Sequence, residues 1–513
     1  MDKYLKIAAT VLLLMSVTVS QAITIDSLVN SSQVGVNAMP QEVAPITNTP
    51  FKMKSLKRPV FPNRSYTLKK ADKDHRGMVT TTINNKIASL SKLGGGHVIV
   101  PNGHWLTGRI ELKSNVDLHL EQGAVLEFSA NIQDYQPAVF TRHEGVEVMG
   151  AGAFIYANKA KNIALTGKGT IMGPDMSVDM RKLPNGNSVV EKDIDYKTPV
   201  STRLCDGLHG RTFYRPKAVS PINCKNVLIE GVSFEQSVLW NVNPIYCENV
   251  IIRGITVNSV KVPSGDGIDI SSCKNVLIEY STLNCGDDCF TLKAGRCEDG
   301  LRVNKPTENV VIRYCLAKQG HGGITCGSET AGGIKNIYLH DCLFDGTRTG
   351  FRFKTRRNRG GYIKNIVYDR VLLKDVREAF TWDLLGSSTY MGELAQRKPP
   401  LKITSLTPTV KDIVIKNFIV ESADRLMTVN AIPEIPCSNV VLENGKIRTN
   451  RIIRTINDAD GFLLKQLEIQ ATDNEIVVDD SRNIVFDHVK LYVPTGHLKV
   501  ILKGDKAENI QFR

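Results

Sequence analysis

Along most of the chain, short runs rich in Val and Ile alternate apolar and polar residues, and each run opens on a polar residue followed by Asn. The phrase occurs as KNIAL at Asn162, KNVLI at Asn226, ENVII at Asn249, KNVLI at Asn275, ENVVI at Asn309, KNIYL at Asn336 and KNIVY at Asn365. It continues as KDIVI at Asp412, SNVVL at Asn439, RNIVF at Asn483 and ENIQF at Asn509. Most neighbours lie 23 to 34 residues apart, with longer gaps of 64 (162 to 226), 47 (365 to 412) and 44 (439 to 483), each long enough to hide a degenerate turn. A period in the twenties built from short β-branched strands predicts an all-β fold, a β solenoid. Strand–helix repeats would need amphipathic helices between the strands, and the gaps hold none. A recurring Asn can take the left-handed conformation and hydrogen-bond the backbone at a corner, so these asparagines read as structural.

Outside the repeats the pattern changes. Met1 to Ala22 has Lys3 and Lys6, the apolar run AATVLLLMSVTV and small residues near Ala22, which predicts a cleaved secretory signal and an exported, secreted or periplasmic protein. Residues 23–70 carry Pro40, Pro45, Pro50, Pro59 and Pro62 without periodicity and read as an extended lead-in. The solenoid is then expected over 71–513, with a capping region over about 71–130. Within that cap, residues 76–95 suit one amphipathic helix ended by Gly94 and Gly95.

Lys and Arg outnumber Asp and Glu by 65 to 52, a net charge of +13, and +12 once Asp2, Lys3 and Lys6 leave with the signal. The balance suits a polyanionic partner. Zinc-finger spacing, a basic helix and interleaved aromatics are all missing, which disfavours nucleic acid and leaves an acidic polysaccharide. Eleven cysteines in an exported chain leave at least one unpaired. Cys224, Cys247, Cys273 and Cys437 each sit just before a repeat Asn and read as small residues stacked in register, not as metal ligands.

The candidate chemistry lies in SGDGIDISSCKNVLIEYSTLNCGDDCFTLK, Ser264 to Lys293, which carries Asp266, Asp269, Asp287 and Asp288. If successive coils stack about 4.8 Å apart, Asp266, Asp287, His321 and Arg352 fall one coil beyond each other and line one strip. Acid/base hydrolysis of a glycosidic bond needs one carboxylic acid for the leaving oxygen and one carboxylate for water. Crowded carboxylates raise the proton affinity of at least one of them. His321 can tune the proton inventory, and Arg352 and Lys354, two apart on a strand, offer a cationic clamp on one face. Asp287 and Asp288 would diverge in a regular strand, so Gly286 is expected to form a turn or bulge that lets both face the groove. The run KTRRNR, Lys354 to Arg359, reads either as a polyanion track or as a solvated loop. Trp240, Trp382 and Tyr246 are candidates for stacking on sugars, with core packing favoured for Trp240.

In the order SGD, DD, GHG and RFK, with their spacing, the chain resembles glycoside hydrolase family 28, the polygalacturonases and their pectin-cleaving relatives, from about residue 60 to the C-terminus. The resemblance implies a single-stranded right-handed parallel β-helix that hydrolyses α-linked galacturonate with inversion, as a monomer with no cofactor or metal. It makes Asp287 the general acid, Asp266 and Asp288 the residues that activate water, His321 the tuner of the acid, and Arg352 and Lys354 the carboxylate anchor. The family's substrate-binding Tyr after the Lys corresponds to Tyr390 or Tyr362. Ser264-Gly265 stands where the family has Asn-Thr, which leaves a rhamnogalacturonan-type backbone as the alternative substrate. The insert from Met172 to Pro216 suggests a wall at one end of the groove and exo action. Two other classes remain: a lyase, which would require a strong base and often Ca²⁺, and a non-catalytic adhesin.

Overall fold

The structure, a computed structural model, describes residues 9–13, 28–175, 180 and 190–513. Apart from Ala9–Leu13, an antiparallel strand against Leu498–Lys503, the expected signal lies outside the described residues. Among the described residues no helix is long and apolar enough to cross a membrane.

The chain winds into a right-handed parallel β-helix with three strand columns. One column carries the Asn phrase, for instance Lys225–Glu230 beside Glu248–Arg253 beside Lys274–Glu279. A second, of short strands, includes Thr256–Asn258 and Thr282–Asn284. The third, here called the cleft sheet, runs through Ile268–Ser271, Phe290–Lys293, Gly320–Cys326, Thr347–Lys354 and Val376–Asp383. Parallel pairing begins at Ser65–Thr67 against Gly96–Val100, ahead of the boundary expected at residue 71. The helix Thr80–Lys92 covers the end of the solenoid with Ile83, Ile87 and Leu90 buried.

Inward positions repeat every coil. Leu292, Cys326, Phe353 and Trp382 share one register, and Phe353 stacks on Trp382 with centroids 5.0 Å apart. Each such side chain contributes roughly 1.5–3 kcal/mol when fully buried. Trp382 is therefore core and cannot stack on a sugar; Trp240 is buried too, and Tyr246 is tied down by a hydrogen bond to Glu147 (2.9 Å). All eleven cysteines are buried and free, and the Cys247 N–H donates to Cys273 Sγ across one coil (3.2 Å).

The repeat asparagines take φ near +57°, but their partner is not the backbone. Each Nδ2 donates to the Oδ1 of the Asn one coil earlier: Asn226 to Asn162 (2.8 Å), Asn249 to Asn226 (3.1 Å), Asn275 to Asn249 (3.2 Å) and Asn309 to Asn275 (3.1 Å). The gaps of 64 and 47 hide no coil, because Ile163 pairs directly with Val227 and Ile366 with Ile413; each is a single coil with an insertion. The gap of 44 does hide one, Asp460 sitting between Ser438 and Arg482, with Gly461 (φ +78°) at the Asn position. Asn275→Ala would break two rungs and force Ala into the left-handed region. We expect a loss of about 2–3 kcal/mol, read as a lower urea-unfolding midpoint.

The lead-in is a strap along the outer wall, running back from the later coils to the earlier ones. Val29 and Val34 pack on Leu343, Leu372 and Ile419; Ile46 packs on Leu277 and Val311; Leu56 and Phe61 reach Ala164 and Leu228. Beneath it Glu279 is held between Arg253 (2.8 Å) and Arg313 (2.7 Å), whose guanidiniums also donate to the strap carbonyls of Pro40 (2.7 Å) and Ala44 (2.7 Å). A buried charge needs partners of this kind.

Candidate active site

The corner that enters the cleft sheet collects the acids. Ile268 pairs with Phe290, Phe290 with Ile324 and Ile324 with Phe351, which puts Asp266, Asp288, Gly322 and Thr349 in one register. Asp287 and His321 share the position before it, where the His321 N–H donates to the Asp287 carbonyl (2.9 Å). The expected column from Asp266 through Asp287 and His321 to Arg352 is therefore corrected: Asp288 is the coil equivalent of Asp266, and Arg352 lies three residues further along its strand than Thr349.

Gly286 turns the chain so tightly against the 259–262 segment that a Cβ would sit 2.6 Å from the Ser259 carbonyl oxygen. That turn leaves Asp287 partly exposed and Asp288 buried, both at the groove, and the Asp288 N–H donates to Asp287 Oδ1 (2.9 Å). At Gly322 a Cβ would lie 2.7 Å from Asp288 Oδ1, so the carboxylate occupies the space a larger residue would need. The Ser264-Gly265 departure has a packing reason as well, since a Cβ on residue 265 would stand 2.8 Å from the Val262 carbonyl oxygen.

Asp266, Asp287 and Asp288 bring carboxylate oxygens within 4.8 Å of one another. Each faces a cation: Lys293 Nζ is 3.9 Å from Asp266, His321 Nδ1 3.1 Å from Asp287, and Arg352 Nη1 3.4 Å from Asp288. The three acids are close enough to hold a divalent ion, but these cations already offset their charge and oppose one. Lys354 stands two residues beyond Arg352 on the same outward face.

The pairs divide the protons unequally. Burial, then the charges of Asp269 and Asp287, push Asp266 well above the usual carboxylate range. Burial lifts Asp269 to about 7 against the pull of Lys293. Burial also pushes Asp287 up, but the hydrogen bond and charge of His321 outweigh it and bring the carboxyl down to about 2. The same hydrogen bond raises His321. Burial lowers Lys354, and Arg352 repels it further.

Sequence reasoning missed Lys293 and Glu329. Lys293 reaches Glu329 (3.4 Å), Asp269 (3.6 Å) and Asp266, and its ammonium lies 4.6 Å from the Trp240 ring. A signal was present: FTLK at Phe290–Lys293 and FRFK at Phe351–Lys354 put lysines at the same strand position two coils apart. Glu329 had none, because the turn that carries it has no periodicity. The KTRRNR run is not a solvated loop: Arg357 is buried against Glu434 (2.7 Å), Arg359 is buried with Nη1 3.1 Å from Cys297 Sγ, and Arg356 faces Asp383 (3.3 Å). Tyr390 is 59% exposed, in the one-turn helix Ser388–Met391 that follows the cleft-sheet strand ending at Asp383. Tyr362 lies at the opposite corner, where its ring packs on Gly333.

The described part of the insert builds a wall beside the acids. Leu204–Cys205 pairs with Val146–Gly150, itself antiparallel to Val139–His143. Arg203 bridges to Asp299 (2.7 Å), and Arg215 donates to the carbonyls of Val238 (2.6 Å) and Pro263 (3.4 Å), the latter immediately before Ser264.

An elongated solenoid groove with clustered carboxylates beside a cationic strip is the equipment of a polysaccharide-cleaving glycosidase. Residues 91–460 match the family model for glycosyl hydrolases family 28, and the chain belongs to that family. A probable polygalacturonase of Vitis vinifera is 26% identical over 399 residues, 76% of each chain. An endo-polygalacturonase of Pectobacterium carotovorum is 27% identical over 362 residues, 69% of this chain and 82% of its own. The crystal structure of an exopolygalacturonase from Thermotoga maritima aligns with a TM-score of 0.69 at 27% identity, covering 87% of this chain and 96% of that one.

Proposed function

We propose that this glycosidase is exported and hydrolyses α-linked galacturonate in pectic polysaccharide, from a chain end and with inversion. One observation carries the reading: three carboxylates within 4.8 Å of one another, with Arg352 and Lys354 two coils beyond Asp288 on the same sheet to hold a uronate carboxylate. All of these groups come from a single chain, so a monomer suffices.

Asp288, which faces Arg352 at 3.4 Å, takes the proton from water, while Asp266 orients it. Oxygens within 4.8 Å can both hydrogen-bond one water, because two bonds of about 2.8 Å span that distance. Asp287 and His321 hold one proton between them. In the open groove it rests on His321; a seated sugar excludes water, disfavours the ion pair and moves the proton to Asp287, which gives it to the leaving oxygen. The described part of the insert stands beside Asp266, where Arg215 donates to the Pro263 carbonyl (3.4 Å), and this supports exo action.

The Asp287–His321 pair sets a pH dependence. The raised His321 keeps its proton below the unperturbed value of about 6.5 and loses it as pH rises through a value above that. The alkaline limb of kcat/KM is thus expected above pH 6.5, and His321→Gln should remove it; a limb that survives the substitution assigns the proton elsewhere. The same ion pair stabilises the fold between the unperturbed Asp value and the unperturbed His value, and the contribution fades as pH falls toward 2 or rises past the raised His value.

The changed Ser264-Gly265 turn favours a second reading, a rhamnogalacturonan-type backbone. Incubation with both polymers decides, following reducing ends, ultraviolet absorbance and product size together. Mono- or disaccharides from polygalacturonate without ultraviolet absorbance are expected. A ladder of intermediate oligomers contradicts exo action, and an absorbing unsaturated product contradicts hydrolysis.

A further inference from the structure

A second groove lies on the same corner of the solenoid as the catalytic acids, further along the axis. Its floor includes the register Arg448, Gln470 and Tyr492, successive coils at the corner between the short strands and the cleft sheet. Its volume is about 840 Å³, within the range of saccharide-sized sites. It starts two coils beyond His321, about 10 Å along the axis, and continues for about 19 Å more.

Two arginines join it to the active site. Gly322 pairs with Thr349 and Thr349 with Glu378, so His321, Arg348 and Arg377 occupy one register on three successive coils. Arg348 and Arg377 are exposed, and Arg377 forms the lip of the groove. Inside, the half-buried Tyr492 presents its ring to the groove. The acids there are already engaged, Asp375 by Ser422 (2.6 Å) and Asp424 by Asn450 (3.4 Å).

The geometry points to a distal binding track for the unreacted part of an acidic polysaccharide: uronate carboxylates on Arg348 and Arg377, and a sugar ring over Tyr492. The inference rests on the proposed galacturonan substrate. With the insert standing beside Asp266, a long chain leaves past Arg352 toward the later coils, where this groove lies. Occupants of the track add affinity for long chains and nothing to the bond-breaking step.

Binding of purified tri- and octagalacturonate to Asp287→Asn protein, by calorimetry, tests the track without turnover. The octamer should bind at least about tenfold more tightly than the trimer, and Arg348→Ala with Arg377→Ala, or Tyr492→Ala alone, should erase that gap while leaving trimer affinity unchanged. In otherwise wild-type enzyme the same changes should raise KM for the polymer about tenfold and leave kcat, and trimer hydrolysis, unaltered. Equal affinity for both lengths, or a gap that survives the substitutions, overturns the track. Trimer hydrolysis that persists in that case leaves the proposed activity standing, whereas length-dependent binding without any hydrolysis upholds the track and removes the activity.

Discussion

Asp287→Asn should lower kcat on polygalacturonate by about 10²- to 10⁴-fold with KM little changed, because the substitution keeps the shape of the side chain and removes the proton it delivers. The carboxyl is the most accessible of the three, while Asp266 and Asp288 are 4% and 2% exposed. Folding should survive, since the lost partner His321 is itself half exposed. A galacturonide whose leaving group needs no protonation separates the acid from a merely structural residue: the variant should cleave it at close to the wild-type rate. Equal impairment on both substrates would mean that Asp287 does not supply the proton.

Lys293→Met should cost about 3–5 kcal/mol of stability, the largest expected from one substitution. Its ammonium is almost fully buried, and it compensates Glu329, Asp269 and Asp266 together. Without it three buried carboxyls have no shared counter-charge. The loss should depend on pH in a definite sense. Asp269 is raised to about 7, so its neutral form favours the fold at low pH, and that contribution fades as pH rises from the unperturbed Asp value through about 7. Removing the lysine raises it further, so the urea midpoint of the variant should fall further behind wild type at pH 8 than at pH 5. A pH-independent difference would show that lost packing against Trp240, not charge, dominates.

How much of the fold is legible in the sequence follows from which interactions are periodic. The Asn phrase is periodic because one corner conformation recurs on every coil, so the solenoid and its strands were legible from spacing alone. The cation pair on Thr347–Lys354 was legible for a similar reason, two residues on a strand sharing a face. Register at the acids was not, because the turn at Gly286 is local and shifts the equivalence from Asp287 to Asp288. Glu329 and the buried positions of Arg357 and Arg359 depend on irregular turns near residues 328, 394–397 and 434, whose packing no repeat announces. The lead-in showed only prolines; its apolar anchors Val29, Val34 and Ile46 gain meaning only against surfaces more than two hundred residues away.

The spacing of the acids bears directly on the stereochemical outcome. Carboxylates of inverting enzymes commonly stand about 6.5–9.5 Å apart and those of retaining enzymes about 5–5.5 Å, and the nearest oxygens here lie within 4.8 Å. That approach is compatible with a nucleophilic carboxylate as well as with a water shared by Asp266 and Asp288. Nuclear magnetic resonance of the first sugar released from polygalacturonate distinguishes them directly. Release of the β-anomer before mutarotation is the result predicted for attack by that water; initial release of the α-anomer would contradict it.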